Sequence, residues 1–151
     1  MNIFVSYTTR DQYIDRELLE SVFDIVSHYG HCYIDLLHND TNDKQRHVEL
    51  MLSQAKLLIL ISSTSIGKSE WVQWELAEAG KRHIPMLIIQ ATPDRKETLS
   101  NLRSGLVSEF RLLSKTMDIK SEWLTSKSGQ SLSKEFASLP LNNMPILYAK
   151  P

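Results

Sequence analysis

The chain has 151 residues, a formal net charge of −1, and 42% hydrophobic and 23% charged residues, which suits one globular domain with a core of its own. The near-neutral balance, with Lys and Arg scattered rather than striped, excludes the basic field expected of a nucleic-acid binder or of a protein held to an anionic membrane. No apolar run approaches the ~20 residues of a membrane span, Met1 to Tyr7 lacks the parts of a secretory signal, and Cys32 has no internal disulfide partner, so a cytoplasmic setting is expected.

Ile3 to Ser6 is a short apolar run and predicts strand one. Thr9 with Gln12 fits a capping box, and Ile14, Leu18, Val22, Ile25 and Tyr29 recur at helical spacing up to Gly30, which is placed to stop the helix. Cys32 to Leu37 predicts strand two, with Asp35 near its end, and Cys32 reads as a small buried hydrophobe. A polar loop, His38 to Asp43, leads to a second helix capped by Asn42 and Gln45, with Val48, Leu52 and Ala55 inward.

Lys56 to Ser62 is aliphatic enough for a strand buried on both faces. Ser69 is the expected N-cap of a third helix whose core face is Val72, Leu76 and Ala79, with Trp71, Glu75 and Glu78 on a neighbouring face. Ile84 to Gln90 predicts strand four. A short helix around Lys96 to Leu102 ends at Gly105, and Leu106 to Leu112 predicts strand five. Beyond that point, short helices over Ile119 to Leu124 and Leu132 to Leu139 and a last strand or packed tail over Met144 to Tyr148 are the remaining signals. There is no internal repeat and no linker, so residues 1–151 read as one domain, with 113–151 an extension packed on it. Alternating strands and helices with short connections predict a flavodoxin-like three-layer α/β sandwich around a parallel sheet of about five strands.

In such sheets ligands meet the carboxyl ends of the strands, and the candidate chemistry collects there. Glu75 is either a solvated helix residue or a carboxylate desolvated beside Trp71, one turn earlier; the second case raises its pKa and suits it to holding ribose hydroxyls or stabilising a sugar cation. Glu78 reads as structural. Trp74 divides evenly between core and base stacking, while Trp71 leans to the site edge. Tyr7, Thr8, Thr9 and Arg10 after strand one could hold phosphate or simply form a capped turn. Ser62, Ser63 and Ser65 after strand three have the same two readings, and Asp35, near the end of strand two, is a further candidate for binding substrate. No glycine-rich dinucleotide fingerprint and no Walker lysine is present. The five His residues and Cys32 do not pair at ligand spacing, so no metal is expected.

Together these pieces resemble Toll/interleukin-1 receptor (TIR) domains: Ile3 to Tyr7 with Asp11 as the opening strand and box, Tyr33-Ile34-Asp35 as the second strand, Leu58 to Ser62 as the third, and Trp71-Val-Gln-Trp-Glu75 as the Trp-x-x-x-Glu helix. The likeness covers residues 1–112, and the chain resembles small standalone bacterial members of Thoeris-type antiphage systems. It implies cleavage of the nicotinamide–ribose bond of NAD+ as substrate, with no other cofactor. Glu75 would be catalytic, Trp71 its aromatic neighbour, and Tyr7, Thr8, Thr9 and Arg10 near the ligand. A cyclic or conjugated ADP-ribose product would then activate a separate effector protein. Loop 36–44 would mediate TIR–TIR self-assembly, although it lacks the glycine often found there. Two other readings stay open: a non-catalytic adaptor or host-directed mimic acting by TIR–TIR contact, and an enzyme resembling nucleoside deoxyribosyltransferases, which share the sheet and a helix-borne glutamate.

Overall fold

The structure is a computed structural model and describes residues 1–125. Strands β1 (Asn2–Ser6), β2 (His31–Ile34), β3 (Leu57–Ser62) and β4 (Met86–Gln90) form one parallel sheet in the order β2-β1-β3-β4. Parallel neighbours need crossovers. These are α1 (Arg16–Val26), then α2 (Asp35–His38) with α3 (Lys44–Gln54), then α4 (Glu70–Lys81); α5 (Arg95–Thr125) follows β4.

Strand alternation sends side chains to two cores. Ile3, Val5, Leu57, Ile59, Ile61, Leu87 and Ile89 pack against Leu18, Leu19 and Val22 of α1 and Leu102 and Leu106 of α5. Phe4, Tyr33, Leu58, Leu60 and Met86 pack against Val48 and Leu52 of α3 and Val72 and Ala79 of α4. This is a flavodoxin-like three-layer α/β sandwich. Because β2 lies to one side of β1 and β4 to the far side of β3, the chain reverses direction across the sheet between β1 and β3. The crevice of an open α/β sheet opens at the carboxyl ends of such a pair.

Several expectations need correction. Leu106 to Leu112 is not a strand but part of α5, so the described sheet has four strands. Leu102, Leu106 and Phe110 repeat every four residues, and Leu102 and Leu106 are fully buried; a seven-residue window hides that period. Gly105 does not end a helix. It lies within α5 where a Cβ would come 2.7 Å from Ile89 Cδ1, so its bare backbone lets the helix settle on β4. Helix α1 opens at Asp15, whose side chain accepts from Leu18 N, rather than at Thr9, and α3 is capped by Asp43 accepting from Arg46 N rather than by Asn42. A carboxylate caps more strongly at either position because it also meets the helix dipole.

Helix α1 ends at Val26, before Gly30. Gly30 is needed for space instead: a Cβ there would collide with the Met1 carbonyl oxygen, which accepts from His31 N at 2.8 Å. Strand β2 stops at Ile34 and Asp35 opens α2. The helix expected at Ile119 to Leu124 falls inside α5, and the segments at 132–139 and 144–148 lie outside the described residues.

Candidate active site

Three elements converge at the carboxyl edge. The chain leaving β1 supplies Tyr7, Thr8 and Thr9, the start of α2 supplies Asp35, and the first turns of α4 supply Trp71 and Glu75. All six line one cleft of about 270 Å³. Ser69 sets where α4 begins, accepting from Val72 N at 3.3 Å as its spacing predicted. The buried residues of α4 are Val72, Glu75 and Ala79, while Leu76 is only half-buried. Glu75 therefore takes the place expected for Leu76 on the inward stripe, since positions i, i+3 and i+7 share one face.

Glu75 is 4% exposed, and Ser6 Oγ donates to its Oε1 at 3.3 Å. Burial pushes the carboxyl from an ordinary 4.5 up to about 8; the Ser6 hydroxyl pulls it back and the nearby Asp35 charge pushes it further. A carboxylate in low dielectric loses hydration that one hydroxyl does not replace. Asp35 is provided for differently. Its Oδ1 accepts from Tyr33 Oη at 2.9 Å and from Asn39 Nδ2 at 2.7 Å. Tyr7 Oη accepts from Leu36 N at 2.8 Å, tying the strand exit to α2. Burial raises both phenols, so neither ionises near neutrality. One cleft thus holds two carboxyl groups in unlike environments, Glu75 with one hydroxyl donor and Asp35 with a phenol and an amide.

The two indoles are not equivalent. Trp71 is 40% exposed at the cleft, whereas Trp74 packs on the core formed by α3 and α4, and their rings lie 5.6 Å apart at 35°. Glu78 is paired with Lys81 at 3.1 Å and Arg82 at 3.9 Å, a surface role.

The loops after β1 and β3 are laced together below the cleft. Asp11 accepts from Ser65 N at 2.8 Å and Ser65 Oγ at 2.9 Å, and Tyr13 Oη accepts from Thr64 N at 3.0 Å. Ser63 and the Ser65 amide hold the Asp11 carboxyl below its ordinary value. Ser63 Oγ is buried without a well-formed hydrogen bond among the described residues, so its pull on Asp11 is that of a nearby dipole.

Arg10, Ser62 and Ser63 fall outside the cleft walls. Arg10 is exposed beside Thr9, its amide bonded to Thr8 Oγ1 at 3.3 Å in a capped turn. Ser62 sits in the ladder opposite Gln90, its carbonyl accepting from Ala91 N at 2.9 Å.

Sequence reasoning missed Ser6, Leu36 and Asn39. Ser6 carries a readable signal: it is a polar residue on the face of β1 where Phe4 points into the core. Asn39 carries none, because its partners are set only by the α2 turn. Burial pushes the Cys32 thiol up to about 12, which leaves it inert near neutrality. Among the described residues no group of three His, Cys, Asp or Glu side chains is placed to hold a metal ion, and no helix is long and apolar enough to cross a membrane.

No curated protein and no solved structure matches the chain. A family model does, over residues 4–96: that of the TIR-like domain of the Thoeris protein ThsB. The match begins within β1 and takes in Asp35, the Trp71–Glu75 turn and the other three strands of the sheet. It covers more than half of the sequence, and the chain belongs to the TIR-like domain family of Thoeris ThsB, a family of antiphage defence.

Proposed function

We propose that the protein is an NAD+-consuming enzyme that cleaves the nicotinamide–ribose bond and releases ADP-ribose, or a cyclic or conjugated form of it, as a signal in antiphage defence. The observation that carries this reading is Glu75, a carboxyl group buried at the switch point of the sheet and open to a cleft walled by hydroxyls and an exposed indole.

The chemistry follows from the charges. No cation lines the cleft among the described residues, whereas two carboxyl groups do. That field favours a pyridinium ring and the sugar cation that replaces it. As the bond from C1′ to nitrogen breaks, its electron pair goes to nicotinamide and positive charge develops on the ribose. Glu75, ionised, holds the ribose and stabilises that charge. Water or a nitrogen of the adenine then attacks C1′; water passes its proton to the Glu75 carboxylate or to solvent, whereas a ring nitrogen without a proton closes the ring directly. Near neutrality the free protein carries Glu75 largely protonated, and the entering cation favours its ionisation. Trp71 offers a face for a flat base, Asp35 a second carboxylate, and Arg10 at the rim a cation for diphosphate.

The setting is cytoplasmic, with no metal and no nucleic acid, and a separate effector reads the product. Loop 36–44 offers a self-assembly surface through Leu36, which is 43% exposed at the cleft mouth. Exposed Leu36 and Trp71 also favour a second reading, a binding module without turnover.

The test is incubation with NAD+ and mass spectrometry of the products, with the protein free and crowded into assemblies. Nicotinamide with an ADP-ribose product is expected. Partner binding with no nicotinamide under any condition contradicts turnover, and release of free base from deoxynucleosides but not from NAD+ moves the enzyme to the deoxyribosyltransferase class.

A further inference from the structure

Even positions of β1 face α3 and α4. Phe4 is buried in that core, and Leu58, Leu60 and Met86 of the neighbouring strands fill the same layer. Ser6 is the next even position and is 1% exposed. An apolar residue would satisfy the packing there, and a buried hydroxyl costs free energy unless it is bonded. Its partner is the Glu75 carboxyl, 69 positions away in the chain, and it is the one hydrogen-bond donor to Glu75 among the described residues.

We propose that Ser6 is a positioning residue for Glu75: its hydroxyl clamps one carboxylate oxygen, Oε1, and leaves the other to meet the ribose. The role of the second oxygen rests on the reading of the cleft as an NAD+ site; the clamp itself does not. Ser6 lies on the last residue of β1, paired through the ladder with Leu60 of β3, so the clamp is held by the rigid centre of the sheet and not by a loop. The ionisable groups facing Glu75 are Asp35 from α2 and the phenols of Tyr7 and Tyr33, all of which act against its ionised form or are neutral. Ser6 alone acts for that form, so its loss moves a titration that simple loosening of the core would not move in a defined direction.

The experiment is an NMR titration of the isotope-labelled Glu75 side chain in the whole, ligand-free protein, in wild type, Ser6→Ala and Ser6→Thr, beside the pH dependence of kcat/KM for NAD+. Ser6→Ala is expected to raise the Glu75 midpoint by about one pH unit and to lower kcat/KM near neutrality about tenfold, mostly in kcat. Ser6→Thr, which keeps the hydroxyl, returns both toward wild type. An unchanged or lowered midpoint in Ser6→Ala overturns the assignment. A raised midpoint in a protein that never releases nicotinamide supports the clamp and removes the NAD+ reading instead.

Discussion

The two edges of the sheet are closed in different ways. At the amino edge the joints are mostly backbone to backbone: His31 N to Met1 O at 2.8 Å, Lys56 N to Asn2 O at 2.8 Å and Leu58 N to Pro85 O at 2.9 Å, with Asn2 Nδ2 to the Gln54 carbonyl at 3.4 Å the side-chain exception. Many residues could stand at those positions, because the peptide group does the bonding. At the carboxyl edge most joints run through side chains: Ser6 to Glu75, Tyr7 to Leu36, Tyr33 and Asn39 to Asp35, Asp11 to Ser65 and Tyr13 to Thr64. There the identity of each residue matters, and one of them, Glu75, is held at a cost. The contrast separates what keeps the chain folded from what it is folded for.

The largest effect should come from relieving that cost. Glu75 has a folded pKa of about 8 against an ordinary 4.5, so the folded state binds the extra proton. Stability is then greatest below the lower value and falls as pH rises through the window between the two. Glu75→Gln removes this slope, and at about pH 9 the variant should exceed wild type by roughly 5 kcal/mol in urea unfolding. Equal slopes in both proteins would show that burial does not strain Glu75.

Breaking the amino edge should cost stability and spare the site. Gly30→Ala sets a Cβ against the Met1 carbonyl and should lose about 2 kcal/mol. NAD+ turnover well below the lowered Tm should remain near wild type. Trp71→Ala removes the exposed indole of the cleft and should raise KM about tenfold with less change in kcat, with no loss of Tm. The smallest expected effect is that of Tyr13→Phe. It deletes the contacts to Thr64 N and Thr64 Oγ1, together worth ~1 kcal/mol at this exposed site, and should loosen the loop after β3 as read by hydrogen exchange.

Local patterns were enough for the four strands, the α4 cap at Ser69 and the gathering of Tyr7, Thr8, Thr9, Asp35, Trp71 and Glu75 at one edge. Each is set by neighbours a few residues away, or by the rule that parallel sheets bind at their carboxyl ends. Leu106 to Leu112 was misread because a short apolar stretch in a long helix lacks the length to declare its period. The capping residues slipped because several Asp, Asn and Thr compete in each loop and only the fold chooses among them. Burial of Glu75 in place of Leu76 was not legible in the helix itself. It depends on Ser6 offering a hydroxyl from a strand that is distant in the chain, and a helical wheel cannot report a partner outside the helix.

The central claim is that the strained carboxyl at the carboxyl edge cleaves NAD+. Its most direct test is nicotinamide release, measured side by side for wild type and Glu75→Gln under the conditions in which wild type is most active. Wild type should release nicotinamide, and Glu75→Gln should fall at least ~100-fold while folding as well or better. Equal release from the two proteins would contradict the claim.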